Sequence, residues 1–301
     1  MLSELYQNVV LKKPKVIFLI LITALLSFGY FSKDFKLDAS SDTLLIEGDP
    51  DLKYLREITE RYGAKDFLVL TFTPKEPITS ENSINNLLSL KYKIQSLDWV
   101  HSVITLLDVP LLNNSDKSLQ ERLNNLVTLK DENVDKERGF KEILDSPVFR
   151  NFVISEDGNT TGIIVNIKKD DILKKLKNKK EIEKHKDNLK KKNHQNILEI
   201  RKIIKTYSGE SKIYLGGIPM IADDMMTFIK NDIVVFGVGV LLFIIATLWF
   251  VFRKLIWIIV PISSCFFSVL IMTGLLGLLG WKVTVISSNF IALMLILTMA
   301  M

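Results

Sequence analysis

Residues 233–252 read IVVFGVGVLLFIIATLWFVF, and residues 255–280 read LIWIIVPISSCFFSVLIMTGLLGLLG. Both apolar stretches lack Asp, Glu, Lys and Arg, and only Arg253-Lys254 separates them. About 20 apolar residues of helix suffice to cross the hydrocarbon core of a bilayer. This part of the sequence therefore predicts two transmembrane helices joined by a very short turn.

Two more charge-free stretches, Val16–Phe31 and Val283–Met301, lie toward the ends of the sequence. All charged residues, 24% of the chain, fall outside the four stretches, although 48% of the chain is hydrophobic. This uneven distribution excludes a purely soluble protein and a protein with one simple anchor. The four stretches predict four transmembrane helices.

The first stretch has two interpretations. The lysines within Lys12–Lys15 precede it, and Ser27 and Gly29 are small enough for a cleavage site, which is the pattern of a secretory signal peptide. The aromatic residues within Phe28–Phe31 instead form an interfacial belt that is typical of a retained span. We expect residues 1–31 to form a cytoplasmic N-terminus and the first transmembrane helix.

Basic flanks predict the orientation, because positively charged flanks stay cytoplasmic. Lys12–Lys15 and Arg253-Lys254 are then inside, residues 32–232 are external, and residues 233–301 hold the second to fourth helices. No polar cap or basic flank follows Met301, although a helix usually has such an end. We therefore expect the fourth helix to be truncated.

The external segment alternates strand-like and helix-like patterns. The predicted elements are a strand at Phe67–Thr73, a helix at Ser80–Leu97, a strand at Trp99–Ile104, a hairpin of Phe152–Ile154 with Gly162–Ile167, a helical segment at Asp170–Tyr207 and a strand at Lys212–Leu215. This order predicts an α+β membrane protein whose external domain is ferredoxin-like, with a split β-α-β fold. The second helical segment exceeds the usual helix length, so we expect a break near Lys190–Asn193.

Two charged groups stand out in the external segment. Lys168–Lys192 contains twelve lysines against five acidic residues. The external location and the lack of interleaved aromatics argue against a nucleic-acid surface, so a solvated helix face is favoured and attraction to anionic lipid headgroups is the alternative. Asp223 and Asp224 point about 100° apart on a helix, and we expect both at the surface.

Catalytic and metal-ligating patterns are absent from the sequence. Cys265 is the only cysteine, and His101, His185 and His194 lack ligand spacing. No nucleophile with a base, phosphate loop or catalytic carboxylate pair occurs. The sequence therefore predicts no enzyme, no cofactor and no metal site.

Polar and small residues interrupt the apolar stretches at two places. Ser287, Ser288 and Asn289 are adjacent in the fourth stretch and form a candidate polar pathway through the membrane, with helix packing as the alternative. Gly274, Gly277 and Gly280 in the third stretch expose backbone for close contact between helices.

Several motifs carry a family resemblance. Asp49–Leu52 begins a helix that ends at Gly63, Asp66–Val69 begins a strand, Gly216–Pro219 reads Gly-Gly-Ile-Pro, and Val285–Phe290 lies in the fourth stretch. In this order, with one span before the external domain and several after it, they resemble half of a resistance-nodulation-division (RND) superfamily permease. The details are most similar to hydrophobe/amphiphile exporters of the mycobacterial-membrane-protein-large (MMPL) type.

The resemblance implies a multi-pass efflux permease, a proton antiporter of the bacterial cytoplasmic (inner) membrane, with residues 32–232 as a periplasmic porter domain. Its implied partners are membrane lipids and an amphiphilic, lipid-like substrate, not nucleic acid; homo-oligomers and periplasmic partner proteins stay open. The family couples protons through carboxylates in the fourth span, where burial raises the carboxyl pKa. No apolar stretch here contains Asp or Glu, so the proton-relay carboxylate is unknown. A lipid-binding or sterol-sensing-type accessory membrane protein without pumping activity is the alternative.

Overall fold

The computed structural model describes residues 13–38, 49–62, 66–112, 126–131, 133–170, 172, 176, 178–284, 287 and 289–300. Its helices are α1 (Pro14–Phe31), α2 (Pro50–Tyr62), α3 (Glu81–Gln95), α4 (Lys136–Asp145), α5 (Lys179–Tyr207), α6 (Ile218–Phe252), α7 (Ile256–Leu279) and α8 (Phe290–Ala300). Its strands are β1 (Lys36–Asp38), β2 (Phe67–Pro74), β3 (Val100–Ile104), β4 (Pro110–Leu111), β5 (Val127–Thr128), β6 (Thr161–Ile167), β7 (Ser211–Gly216) and β8 (Lys282–Thr284). The chain is thus a mixture of helix and strand. It divides into two compact units, Gly48–Asp223 and Met1–Glu47 with Asp224–Met301.

The unit Gly48–Asp223 is built on a four-stranded antiparallel sheet with the strand order β3-β6-β2-β7. Strand β2 alternates as its sequence predicts, because Leu68, Leu70 and Phe72 are buried while the residues between them are partly exposed. Apolar residues of α3 and α5 complete the core, including Leu90 and Ile197. Two helices on one buried sheet face therefore form the core of this unit.

Helix α3 lies within the range that the sequence predicts. It begins after Ser80, whose hydroxyl accepts a hydrogen bond from the backbone N–H of Ser83. A serine N-cap satisfies one of the donors that the first turn of a helix leaves unpaired. Local capping and apolar spacing therefore locate this helix without help from the rest of the fold.

Two predictions for the unit Gly48–Asp223 are wrong. Helix α5 runs unbroken from Lys179 to Tyr207, so the expected break near Lys190–Asn193 is absent, since these residues include no proline or glycine to interrupt the ladder. Phe152–Ile154 forms no strand; among these residues only Ile154 makes isolated bridges, with Arg150 and with Thr161. Strand β6 pairs with β2 and β3 instead of forming a full hairpin with its sequence neighbour.

The second unit contains the membrane-spanning helices. Three described helices are long and apolar enough to cross a membrane, the segment Pro14–Asp34, Ile218–Phe252 and Ile256–Leu279. Large apolar side chains on them are exposed, for example Phe243 and Phe250, which is the expected arrangement where lipid replaces water. The chain is therefore a multi-pass membrane protein.

Helix α6 begins at Ile218, well before the predicted start of the second span at Ile233. Its 35 residues extend to about 52 Å at 1.5 Å per residue, whereas the hydrocarbon core is about 30 Å thick. The whole helix is therefore longer than a span requires, and its first part contains Asp223, Asp224 and Asp232. The charge pattern located the apolar part of this helix correctly but not its beginning.

The fourth predicted span differs from the structure. Within Val283–Met301 the described residues form the end of β8 and the 11-residue helix α8. Eleven residues reach about 16 Å, which is shorter than the hydrocarbon core. Strand β8 forms because it pairs in parallel with β1, Lys36 with Lys282 and Asp38 with Thr284. The polar Thr284 and Ser287 then bond with each other and not along a helix.

Candidate functional site

Helices α1 and α7 approach each other at two glycines. A Cβ atom at Gly274 would lie 2.1 Å from the carbonyl oxygen of Phe28, and one at Gly277 would lie 2.1 Å from the carbonyl oxygen of Phe31. These distances are far below any normal contact, so the backbones touch where the side chains are missing. Small residues at spacings of one turn allow such contacts in membranes, where packing replaces the hydrophobic effect. The predicted close contact is therefore confirmed at Gly274 and Gly277, but it is wrong at Gly280, where a Cβ atom would meet nothing within 4 Å.

Strands β1 and β8 connect the ends of the same two helices. Strand β1 follows α1, β8 follows α7, and the two strands pair in parallel. The ammonium group of Lys282 lies 3.6 Å from a carboxylate oxygen of Asp38, and the rings of Phe35 and Phe290 are 5.9 Å apart. The glycine contact and the strand pair together hold α1 against α7 along the helices and beyond their ends.

The predicted polar residues lie in the turn between β8 and α8. Ser287 is exposed, and its hydroxyl accepts a hydrogen bond from the backbone N–H of Thr284 at 3.1 Å. The carbonyl oxygen of Asn289 accepts from the backbone N–H of Leu293 at 3.1 Å. Ser288 lies outside the described residues. The two described members, Ser287 and Asn289, therefore precede α8 and do not lie within a helix.

A cavity of about 590 Å³ lies beside this turn. Its lining includes Met272 and Leu276 of α7, Trp281 and Lys282 after the helix, and Ser287. Apolar side chains line most of the surface, and one ammonium and one hydroxyl group provide polar contacts. Such a combination suits a molecule with an apolar body and a polar end.

A second cavity, of about 730 Å³, lies between α6 and α8. It is lined by Val235, Phe236, Gly239, Val240, Phe243, Ile244, Ile296, Met299 and Ala300, all without charge. Gly239 contributes open space, since a Cβ atom there would meet nothing within 4 Å. An acyl chain or another apolar group fits the chemistry of this lining.

The beginning of α6 is fixed by polar contacts with α5. Asn193 Nδ2 donates a hydrogen bond to the carbonyl oxygen of Pro219 at 2.8 Å. His194 Nδ1 lies 2.9 Å from Asp223 Oδ1 and 3.1 Å from Asp223 Oδ2. The Asp223 side chain is only 9% exposed, so the expected surface role of this aspartate is wrong. The two partners are 29 residues apart and share no motif, so sequence reasoning missed them.

One ion pair in the unit Gly48–Asp223 is largely buried. The Lys91 ammonium contacts the Asp108 carboxylate, and Lys91 is 7% exposed. Burial by itself raises the pKa of the Asp108 carboxyl, but hydrogen bonds from Lys91 and from the backbone N–H of Thr105 outweigh it and hold that pKa below its ordinary value. These groups all belong to α3 and the turn after β3, so the pair joins two elements of this unit.

The described residues contain no cluster of three or more His, Cys, Asp or Glu that could hold a metal ion. The lysine-rich segment is only partly described, and within it Lys184, Lys186 and Lys191 are exposed on α5, as a solvated helix face requires. The chemistry that the described arrangement offers is therefore apolar binding in cavities beside membrane helices.

Comparison with known proteins adds one positive finding. The model of the MMPL family matches residues 108–301, which is more than half of the chain and includes α6, α7 and α8. No curated protein matches the chain.

Proposed function

Because the chain belongs to the MMPL family, we propose that it is an efflux permease that moves hydrophobic or amphiphilic, lipid-like compounds and is driven by the proton gradient. The observation that carries the proposal is the family match, which covers α6 and α7 as well as part of the unit Gly48–Asp223. Membership of the MMPL family indicates a membrane transporter of lipid-like compounds. To this the proposal adds the direction of transport, which is efflux, and the driving force, which is the proton gradient.

We further infer that residues 32–232 form a ferredoxin-like porter domain. The succession β2-α3-β3-β6-α5-β7 and the sheet order β3-β6-β2-β7 support this inference, since a split β-α-β fold has its two β-α-β units interleaved in one antiparallel sheet. A porter domain of this kind presents surfaces on which an amphiphile can bind before or after it crosses the membrane.

The proposed location is the cytoplasmic (inner) membrane of a bacterium, with the N-terminus cytoplasmic and residues 32–232 periplasmic. The positive flanks support this orientation, because Lys13 and Lys15 begin the first span and Arg253-Lys254 lies between α6 and α7. In this orientation β1, β8 and Ser287 are at the periplasmic ends of the helices. In the same orientation the cavity beside Trp281 is at the periplasmic side of the membrane.

We propose that the substrate's apolar part occupies the cavities beside α6 and α7, and that Ser287, Ser288 and Asn289 give it a polar path. Uncharged linings support this, because an acyl chain gains about 0.8 kcal/mol per buried methylene on leaving water. None of the apolar stretches contains Asp or Glu. The proposal therefore names no proton-relay carboxylate within these stretches.

A reconstitution experiment tests the function. The intact protein is placed in vesicles that contain phosphatidylethanolamine labelled with nitrobenzoxadiazole, and transfer of the label to acceptor vesicles is followed with and without a proton gradient. Transport predicts transfer that depends on the protein and is accelerated by the gradient. Binding of a photo-crosslinkable lipid without any gradient-dependent transfer would instead favour the lipid-binding or sterol-sensing-type accessory protein.

A further inference from the structure

The cavity at the end of α7 has a single charged group in its lining. Residues 255–301 contain one charged side chain, that of Lys282, and Lys282 lines the cavity of about 590 Å³. Met272 and Leu276 of α7 contribute apolar surface to the same lining, and none of its described residues carries a carboxylate. The cavity is therefore apolar along most of its wall and positive at one place.

The way in which α7 ends brings Lys282 to this place. Gly280 has φ +65°, its N–H donates to the carbonyl oxygen of Gly277 at 3.2 Å, and the N–H of Trp281 donates to that of Leu276 at 3.0 Å. These two bonds form a Schellman motif, in which a left-handed glycine ends the helix. The chain leaves the helix at once, and Trp281 is exposed beside its last turn. Tryptophan is typical of the membrane interface, so Lys282 lies at the level of the lipid head groups.

The Lys282 ammonium group keeps its capacity to bind a further acceptor. It lies 3.6 Å from a carboxylate oxygen of Asp38, which is longer than a hydrogen bond of about 2.7–3.2 Å. It donates no hydrogen bond to any residue that the structure describes, although an ammonium group has three N–H donors. The Lys282 side chain is 42% exposed. Asp38 therefore attracts the ammonium group by charge and leaves its donors available to a ligand.

A second lysine lies opposite Lys282 in the strand pair. Lys36 of β1 is the register partner of Lys282 of β8, and like charges at paired positions repel each other. Residues 32–38 and 280–284 together carry three lysines, Lys33, Lys36 and Lys282, against two aspartates, Asp34 and Asp38. An anion beside Lys282 would reduce this repulsion. The local charge therefore complements a negative ligand.

We propose that this cavity binds a lipid with an anionic phosphate head group, such as phosphatidylglycerol. Its acyl chain lies against Met272 and Leu276, and its phosphate lies at Lys282, since a lysine at the membrane surface attracts anionic lipid. A choline head group adds a positive charge that meets no carboxylate in the described lining, so phosphatidylcholine binds less well. The inference rests on the proposed function and deepens it, because it names the head-group charge of the lipid bound beside Trp281.

Photo-crosslinking tests the preference for an anionic lipid. The intact protein is placed in phosphatidylethanolamine vesicles that contain either phosphatidylglycerol or phosphatidylcholine, both with the same diazirine-bearing acyl chain. After irradiation and proteolysis, mass spectrometry measures the lipid attached to residues 272–290. We expect phosphatidylglycerol to label them about fivefold more than phosphatidylcholine, the contribution of one lysine near anionic lipid. Equal labelling by the two lipids would overturn the proposal.

Variants assign this preference to Lys282. Lys282→Gln should make the labelling by the two lipids nearly equal, whereas Lys282→Arg should keep the preference. Lys254→Gln is the matched control, because it removes one positive charge from the turn before α7, and it should change nothing. Asp38→Asn breaks the ion pair but keeps the ammonium group, so it should preserve the preference. A loss in Asp38→Asn equal to that in Lys282→Gln would overturn the proposal, because the strand pair and not the head-group contact would then decide binding.

Two further measurements test that the ligand is a lipid and not a free anion. Met272→Trp fills part of the apolar lining and should lower labelling by phosphatidylglycerol, although Lys282 is intact. Inorganic phosphate should displace no more lipid than chloride at the same ionic strength. Full labelling in Met272→Trp, or specific displacement by phosphate, would show that the apolar part of the cavity plays no role and would overturn the proposal.

The outcomes separate this inference from the proposed function. If the wild-type protein transfers no lipid between vesicles but its labelling by phosphatidylglycerol depends on Lys282, the transport function fails and the lipid site stands. If the wild type transfers lipid while phosphatidylglycerol and phosphatidylcholine label residues 272–290 equally, the anionic site is refuted and the function stands.

Discussion

Replacing Gly274 by alanine should separate α1 from α7. The added Cβ atom would lie 2.1 Å from the Phe28 carbonyl oxygen, and its nearest neighbours also include the Phe28 carbonyl carbon at 2.5 Å. Because both atoms belong to the backbone, no side-chain rotation relieves the overlap. The two helices must move apart by about 1 Å, and overpacking of this kind costs about 1–3 kcal/mol.

Gly237→Ala is the matched control. Gly237 is also within a membrane helix, α6, but a Cβ atom there would meet nothing within 4 Å. Both substitutions gain the same helix propensity, about 0.5–1 kcal/mol, so this gain cancels when the two variants are compared. The difference between them isolates the overlap at Phe28.

Reversible unfolding in mixed micelles of increasing dodecyl sulfate content measures this difference. We expect Gly274→Ala to unfold earlier than Gly237→Ala, by about 1–3 kcal/mol in free energy of unfolding. Gly277→Ala should behave similarly, and the double variant should cost less than the sum because one displacement relieves both overlaps. Equal unfolding of Gly274→Ala and Gly237→Ala would refute the close contact of α1 and α7.

Three further predictions concern stability. The pKa of the Asp108 carboxyl is held low in the folded protein. The ionised carboxylate therefore stabilises the unit Gly48–Asp223 at pH values above the ordinary carboxyl pKa of about 3.9, and this contribution is lost as the pH falls through the lower pKa of the folded state. Asp108→Asn should reduce stability at pH 7 and remove this part of the acid dependence, as measured by circular dichroism during denaturation. Ser80→Ala should lower the free energy of unfolding by about 1 kcal/mol in the same assay, since the N-cap of α3 is lost, and an unchanged midpoint would contradict that role. Arg253 has φ +50°, a left-handed conformation that costs a residue with a Cβ atom about 1 kcal/mol more than glycine. Arg253→Gly should therefore be more stable than Arg253→Ala by about 1 kcal/mol in dodecyl sulfate unfolding, a comparison in which both variants lack the charge. A less stable glycine variant would count against the left-handed turn.

Patterns confined to neighbouring residues predicted the elements well. Helix α3 and strand β2 lie where apolar spacing, the Ser80 cap and Pro74 indicate. Helix α6 begins before the predicted span because the sequence bounded that span by its charge-free residues, which start at Ile233. Charges do not end a helix that extends past the membrane, so hydropathy locates the apolar part of a helix and not its first residue.

The candidate site depended on contacts that no local pattern contains. His194 and Asp223 carry no shared motif, and Asp223 reads as a surface residue until α5 is brought beside α6. In the sequence Ser287 lies within the fourth charge-free stretch, yet in the structure β8 pairs with β1 and Ser287 lies in the turn that follows. Segments that are distant in the sequence therefore decide where these residues lie and which contacts they make.

By itself the sequence determined which segments are apolar enough for a membrane, that a β-α-β-β-α-β unit lies among the charged residues, and to which family the order of these parts is similar. These properties follow from hydrophobicity and backbone preference, which act over a few residues. Tertiary structure alone decided that α1 meets α7 at Gly274, that β1 pairs with β8, and that α5 holds the start of α6. Close packing and buried hydrogen bonds require two surfaces to fit, and a single stretch of sequence specifies only one of them.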